Sequence, residues 1–313
     1  FGFSMVLLWD QWQIYNGHKA TFFPKPVVAN AENTAASSTP AAASSVPTAS
    51  SSATSTAAGP SQVPSSSAAS NAPTTSRERI DVSTDVLKLR FDTEGGTLLF
   101  AEFLKFGDLV DSKKPFVLLD ESKARVYVAQ TGLIGGAFAS HKTPMKFTGE
   151  STLKEGKNEL VLNFESADVG GLKLVKTYTL TRGSYAIKVN HQVLNTGNVA
   201  VSPQLYVQLV RDGNKPEGES AFYSTFTGPA VYTEAKKYQK IEFTDIEKGK
   251  AEFEKNAPQG YVAMVQHYFA SAWVLPANTV RENFARKVDT NLYSVGMITP
   301  FSEVAPGQTK ALD

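Results

Sequence analysis

The sequence predicts an all-β fold with minor helix, set behind a long stretch that does not fold. Three observations predict it. From Arg77 onward, apolar and polar residues alternate with period two, the pattern of half-buried strands. Turn signals punctuate that alternation, among them Glu94-Gly95-Gly96, Gly170-Gly171, Arg182-Gly183-Ser184 and Ala305-Pro306-Gly307. Helical periodicity is scarce, and its best candidate is the short stretch 233–238.

Residues 1–9 read FGFSMVLLW, apolar apart from Ser4 and without charge. A spanning helix needs about 20 apolar residues, so the run is too short alone. The chain opens on Phe1 rather than Met, and the run reads as the outer half of a transmembrane helix. Trp9, Trp12, Tyr15, Phe22 and Phe23 follow, mixed with Asp10, Gln11, Asn16 and His18, which suits a membrane–water interface. The alternatives are a short amphipathic helix or the remnant of a signal peptide. A signal peptide, however, favours small residues after its apolar core, where this chain has bulky WDQWQIY. On this reading 1–29 contacts the lipid bilayer.

Residues 30–76 are almost wholly Ala, Ser, Thr and Pro, with no charge between Glu32 and Arg77. Such a segment cannot bury enough apolar surface to offset the entropy of ordering it. It reads as a disordered tether, stiffened locally by its prolines. A glycosylated stalk is the alternative.

Residues 77–313 carry the strands. Leu87, Leu89 and Phe91 fall on one face; Lys88, Arg90 and Asp92 fall on the other. Leu160, Leu162 and Phe164 repeat the pattern, as do Tyr185, Ile187, Val189 and Val193 opposite Lys188, Asn190 and Gln192. The longest strand candidates are 97–106, 171–180, 184–195, 199–210 and 260–269. Many strands with little helix define a sandwich, either one large one or two fused.

Composition narrows the function. The 313 residues hold 31 Lys+Arg against 30 Asp+Glu, a formal net charge of +1. No nucleic-acid partner is expected, because that needs a basic patch or stripe. With no cysteine there is no disulfide framework, thiolate metal site or cysteine nucleophile. No Walker loop, HExxH or GxSxG occurs. Gly132-Leu133-Ile134-Gly135-Gly136 lacks the Lys-Ser/Thr of a phosphate loop and reads as a hairpin or cleft loop. The histidines, His18, His141, His191 and His267, match no metal spacing. His191 shares its face with Ile187, Val189 and Val193, and His267 shares its face with Tyr261, Val265 and Phe269. Two such histidines could act as acid and base on a sugar, with Glu165 or Glu219 nearby. The ordinary reading, adopted here, is structural histidines in the core or a cleft wall. No catalytic residue, metal ligand or cofactor is assigned. The acidic residues Asp245, Glu247, Glu252 and Glu254, interleaved with Lys248, Lys250 and Lys255, read as a solvated mixed-charge surface.

The segment 260–273, GYVAMVQHYFASAW, resembles the signature of the large periplasmic domain in the YidC/Oxa/Alb family of membrane protein insertases. Its residues Gly260, Tyr261, His267, Tyr268, Phe269 and Trp273 are therefore singled out, with no role assigned. The stretch 236–250, KKYQKIEFTDIEKGK, is similar to what precedes that signature. Residues 3–24 resemble the end of the family's first transmembrane helix, and 84–96, TDVLKLRFDTEGG, the start of the domain.

The resemblance implies a β-supersandwich similar to galactose mutarotase and sugar-binding domains, with a small helical portion and a cleft. It implies the inner membrane of a Gram-negative bacterium, with the folded domain in the periplasm. It also implies contact with the Sec translocon and its accessory proteins. In the family a five-helix membrane core with a charged groove follows and receives nascent inner-membrane proteins; Asp313 falls short of it. The chain then reads as a non-enzymatic scaffold and docking domain. The rivals are a membrane-tethered carbohydrate-binding or mutarotase-like domain and a structural envelope module. A partner-docking surface is placed within 222–255, where Tyr232, Tyr238, Ile241, Phe243, Ile246 and Phe253 stand among many charges. The alternative is an ordinary sandwich edge with its own core residues.

The domain boundary is testable. Limited proteolysis should cut within 30–76 first and leave a resistant fragment beginning near Arg77. Preferential cleavage inside 84–210 would overturn that boundary.

Overall fold

The computed structural model describes residues 77–218 and 225–313. The expectations for 1–29 and 30–76, with His18 and Glu219, concern residues outside this set.

Among the described residues, eighteen strands and one short helix follow in order. They are β1 (Arg79–Ser83), β2 (Leu87–Asp92), β3 (Thr97–Gly107), β4 (Pro115–Glu121), β5 (Val126–Ile134), β6 (Met145–Gly149), β7 (Glu159–Ser166), β8 (Leu172–Thr181) and β9 (Ile187–Asn195). Then come β10 (Gln204–Asp212), β11 (Gly228–Thr233), β12 (Lys237–Lys240), α1 (Phe243–Glu247), β13 (Asn256–Ala257), β14 (Tyr261–Val265), β15 (Ala270–Val274), β16 (Arg281–Asp289), β17 (Leu292–Pro300) and β18 (Thr309–Leu312).

The strands form three antiparallel sheets. The largest has nine strands in the order β1-β2-β3-β4-β5-β10-β17-β16-β13. A five-stranded sheet runs β18-β9-β8-β7-β6, and a four-stranded one β12-β11-β14-β15. On β5, Tyr127 and Thr131 lie an even number of residues apart and so share a face. The Tyr127 hydroxyl donates to the carbonyl of Met264 on β14, at 3.0 Å. Thr131 Oγ1 meets His191 Nε2 on β9, at 2.9 Å. Both smaller sheets therefore cover the same face of the large one, as in a sandwich whose second layer is divided.

Period-two burial builds this core. Leu160, Leu162 and Phe164 on β7 are buried, as are Leu87, Leu89 and Phe91 on β2. Phe91, Phe164 and Tyr178 form a ring triad between the large and five-stranded sheets, with centroids 4.9 to 5.8 Å apart. Asp92 departs from its expected exposure and is buried. It contacts the guanidinium of Arg77 and accepts the Glu94 backbone N–H, so its charge is paired and stops the strand at the turn.

The structure corrects four boundaries. The predicted strand 260–269 is two strands, because the chain reverses over 266–269; Gln266 N–H donates to Phe269 O at 2.9 Å and the His267–Tyr268 peptide is cis. The predicted helix 233–238 is the turn joining β11 to β12, with Lys237 at a positive φ of 56°. The helix lies further on, at Phe243–Glu247. The strand expected over 199–210 begins only at Gln204, since Pro203 has no N–H for a ladder. The strand expected from 184 begins at Ile187, because the Ser184 hydroxyl accepts the Ala186 N–H and holds a turn.

A paired substitution tests the sheet-to-sheet core. Phe164→Ala should cost about 3–5 kcal/mol in urea unfolding. Val161→Ala, on the exposed face of the same strand, should stay within about 0.5 kcal/mol. Equal effects would place the core on the wrong face.

Candidate functional site

Two places stand out: the hairpin made by the signature residues and a polar seam between sheets. The hairpin is β14 and β15. Gly260 leads into it at φ 127°, with its Cα so close to the Tyr232 carbonyl that a Cβ would collide. Only glycine serves there. The ring of Tyr261 stacks on Tyr232 of β11, with centroids 5.2 Å apart and planes at 6°. Phe269 stacks on Phe116 of β4, at 4.0 Å. The Trp273 indole N–H donates to the Gln208 carbonyl of β10, at 3.1 Å. The tyrosine stack ties β14 to β11 within the four-stranded sheet, and the Phe269 and Trp273 contacts pin that sheet to the large one. His267 and Tyr268 occupy the turn, with rings in contact and Tyr268 71% exposed. The signature is thus mainly structural, with its turn presented outward.

Buried arginines reinforce the hairpin. Arg211 donates from Nη1 to Gln266 Oε1 at 2.7 Å and lies over the Tyr127 ring. Arg281 donates to the carbonyls of Gly260 and Pro276, at 2.9 and 2.6 Å, holding the loops that flank the hairpin.

The seam centres on Lys176 of β8, which is fully buried. Its ammonium donates to the carbonyls of Gly95, at 2.5 Å, and Thr131, at 2.7 Å. No carboxylate pairs with it among the described residues, so burial pushes its pKa down to about 7. His191 lies beside it on Thr131 Oγ1, and burial with the nearby Lys176 charge lowers its pKa to about 3. His141 meets the Tyr206 hydroxyl at 2.5 Å, and burial, then Lys176, takes it to about 3 as well. Sequence reasoning missed Lys176. The signal was present: Leu172, Leu174, Lys176, Tyr178 and Leu180 share one face, so the alternation itself turns a lysine inward.

The two histidines considered for sugar chemistry are not brought together. His191 lies in the five-stranded sheet and His267 in the turn of the four-stranded one. Glu165 is occupied at the surface by Lys173, at 2.7 Å. Among the described residues no cluster of three His, Asp or Glu could hold a metal ion. The Gly132–Gly136 run is the end of β5 and its loop; a Cβ at Gly132 would meet the Tyr206 hydroxyl.

The candidate docking segment is reshaped by its burial. Ile241 and Ile246 are core residues. Phe243 packs on the Tyr293 ring at 4.8 Å, and Phe253 packs against the core. These four are turned inward because α1 and the chain after it fold back onto β16 and β17. Tyr232 is half-buried under Tyr261, and Tyr238 is exposed. Lys240, two residues along β12 from Tyr238, lines a cleft of about 490 Å³ together with Lys215, Phe226, Glu242 and Phe243 among others.

An antiparallel β-sandwich domain with a closed, hydrogen-bonded interior is what the fold and these sites define. Residues 79–313 match the family described as the YidC periplasmic domain. The chain is 45% identical over 319 residues to the membrane protein insertase YidC of Janthinobacterium sp. (strain Marseille), which takes in 100% of this chain and 54% of that protein. It is 42% identical to the insertase of Herminiimonas arsenicoxydans, with the same shares. The chain belongs to the YidC family of membrane protein insertases through its periplasmic domain. It spans about half the length of the curated relatives it matches. A solved galactose mutarotase related enzyme of Lactobacillus acidophilus overlays with a TM-score of 0.45 at 8% identity, over 75% of this chain and 95% of that one.

The seam sets the pH dependence of stability. His191 titrates near 3 folded and about 6.5 unfolded, so the unfolded chain binds more protons between these values and stability falls as pH drops through them. Lys176 titrates near 7 folded and about 10.5 unfolded, so stability rises with pH across that window. In thermal unfolding, His191→Gln should make the acid limb shallower, His141 keeping its own share, and Lys176→Met should flatten the alkaline limb. Wild-type slopes in both variants would show that the seam is not where these protons bind.

Proposed function

We propose that this chain is the scaffold and docking domain of a membrane protein insertase and chaperone, held in the periplasm on the inner membrane of a Gram-negative bacterium. The observation that carries the reading is the identity to insertases along the whole chain, with the periplasmic-domain family matched over 79–313. The domain makes and breaks no bond. Among the described residues no helix is long and apolar enough to cross a membrane. Moving a client's polar segment across the bilayer needs a polar path, because a charge at the bilayer centre costs at least ~2.5 kcal/mol. That path is assigned to the half of the relatives' length that this chain does not span, where nascent inner-membrane proteins are received.

The reading includes docking to accessory proteins of the Sec translocon. What supports it is the surface left exposed within 222–255: Tyr238 with Lys236, Lys237 and Lys240, beside the Phe226–Phe243 cleft. An aromatic anchor in a charged rim suits a transient interface.

One reconstitution tests both parts. Anchored in liposomes, this chain alone should leave a short-tailed client helix uninserted. The same chain extended through the remaining length of a full-length relative should insert it. Lys236→Glu, Lys237→Glu and Lys240→Glu together should leave that insertion intact while lowering recovery of Sec accessory proteins. Insertion by the chain alone at a comparable rate would move the activity into this domain. Unchanged recovery would remove the docking surface from 236–240.

A further inference from the structure

Aromatic side chains gather at one end of the domain and stay exposed there. Phe106, near the end of β3, and Tyr185, in the turn leading into β9, are 45% and 39% exposed, with ring centroids 5.6 Å apart. Phe103 contacts both, at 6.2 and 5.2 Å. Phe269, in the turn leading into β15, lies 5.4 Å from each of Phe103 and Phe106 and stacks on Phe116. Leu104, beside Phe103 in sequence, is exposed as well. Strands or turns of all three sheets thus contribute to one cluster, so its shape is fixed by the fold. A contiguous apolar surface of this kind marks a place where something else binds.

The charges beside the cluster fall into two groups. Asp85 accepts the Gly183 N–H, Asp108 accepts the Val110 N–H, and Asp111 lies 3.5 Å from the Lys114 ammonium, so these carboxylates are held in local contacts. Lys105, Lys113 and Lys188 are exposed, and no ion pair engages them among the described residues. Lys105 precedes Phe106, Lys113 lies in the β3–β4 turn just beyond it, and Lys188 follows Tyr185 by three residues. The direction of the chain adds a third observation. β18 runs antiparallel to β9 with Leu312 opposite His191, and Asp313 accepts the side-chain N–H of Asn190 at 2.6 Å. Continued along β9, the chain would pass Lys188 and reach the Tyr185 turn within about five residues, roughly 17 Å of extended backbone.

We propose that the Phe106–Tyr185 cluster and its lysines dock on the periplasmic leaflet of the membrane that holds this domain, against anionic phospholipid. Leu104 and Phe106 supply apolar groups for the boundary of headgroups and acyl chains, and Tyr185 has the amphipathic ring that settles at headgroup level. Lys105, Lys113 and Lys188 attract anionic headgroups, which selects a lipid surface over an uncharged partner. The exit of the chain selects the same end of the domain, because the family resemblance puts the membrane core after Asp313. The bilayer surface concerned is the one on the domain's own side. The proposal rests on the reading of the chain as a membrane-held periplasmic domain, and adds to it a fixed orientation on that surface.

The chain has no cysteine, so one introduced residue takes a single environment-sensitive dye. Ala186→Cys puts the dye beside Tyr185, and Ser122→Cys puts it in the β4–β5 turn, at the other end of β4 from Phe116. The full chain is mixed with vesicles of phosphatidylcholine and phosphatidylglycerol that carry a nitroxide-labelled lipid. The dye at 186 should shift to the blue and be quenched, while the dye at 122 should not. Lys105→Glu and Lys188→Glu should each lower the ratio of quenched to unquenched dye at 186 about fivefold. Phe106→Ser and vesicles without phosphatidylglycerol should lower it too, and Val161→Ala, at an exposed position on β7, should leave it unchanged. Far-ultraviolet circular dichroism checks that every variant keeps its sheets. Attachment through 1–29 alone would float the chain with the vesicles and leave the dye at 186 in water, which would overturn the proposal. So would failure to float, equal quenching at 186 and 122, or quenching unchanged in the lysine and Phe106 variants. A blue shift that grows with protein concentration in the absence of vesicles would overturn it in favour of a second copy of this chain. Because no insertion is measured, docking combined with failure of the reconstitution would keep this surface and remove the insertase reading. Insertion by the extended chain with an unquenched dye at 186 would remove only this surface.

Discussion

A lysine ammonium enclosed between sheets constrains much of this domain. Lys176 can stay buried only because two carbonyls point at it, one from the β2–β3 turn and one from β5. A buried charge without such partners would be far costlier than a buried hydrocarbon. The turn must therefore hold its shape. Gly95 does so at φ 71°, donating its N–H to Thr143 while its carbonyl receives Lys176. The loop carrying Thr143 also brings His141 onto Tyr206, so turn, loop, strand and lysine form one connected network. Networks of this kind reward a single arrangement, because any partial version leaves a polar group unsatisfied.

The four-stranded sheet is held by a different set of contacts with the same logic. Tyr127 reaches up from β5, Trp273 reaches down from β15, and Arg211 joins β10 to Gln266. Each is a large side chain whose polar end finds a partner in the opposing layer. The interior is thereby committed to joining layers. The docking role proposed for the domain falls to its surface, at exposed turns and clefts.

This division explains why the signature hairpin contains both kinds of residue. Gly260, Tyr261, Phe269 and Trp273 are required by packing, while Tyr268 and the outer groups of β15 face water. The same segment anchors the sheet and presents an uncharged edge. Neutrality that serves packing on one side leaves an unguarded surface on the other.

Much of this was legible from the residues alone. Leu160, Leu162 and Phe164 announce their buried face by spacing, because a strand turns alternate side chains to opposite sides whatever its neighbours do. The all-β class and the family resemblance follow from such local patterns and from the order of short motifs. Tertiary structure decided the rest. An apolar run such as 260–269 has no local mark of where it folds back, and the reversal over 266–269 is set by contacts with β4, β5 and β10. Ile241, Phe243, Ile246 and Phe253 look like anchors in a charged segment until α1 returns them to the core. Lys176 lies on an inward face by count, yet its tolerance there depends on Gly95 and Thr131, distant in sequence. Periodicity is a property of neighbours along the chain and can be read from it. Which faces meet, and which edges stay open, depends on partners brought together only by the completed fold.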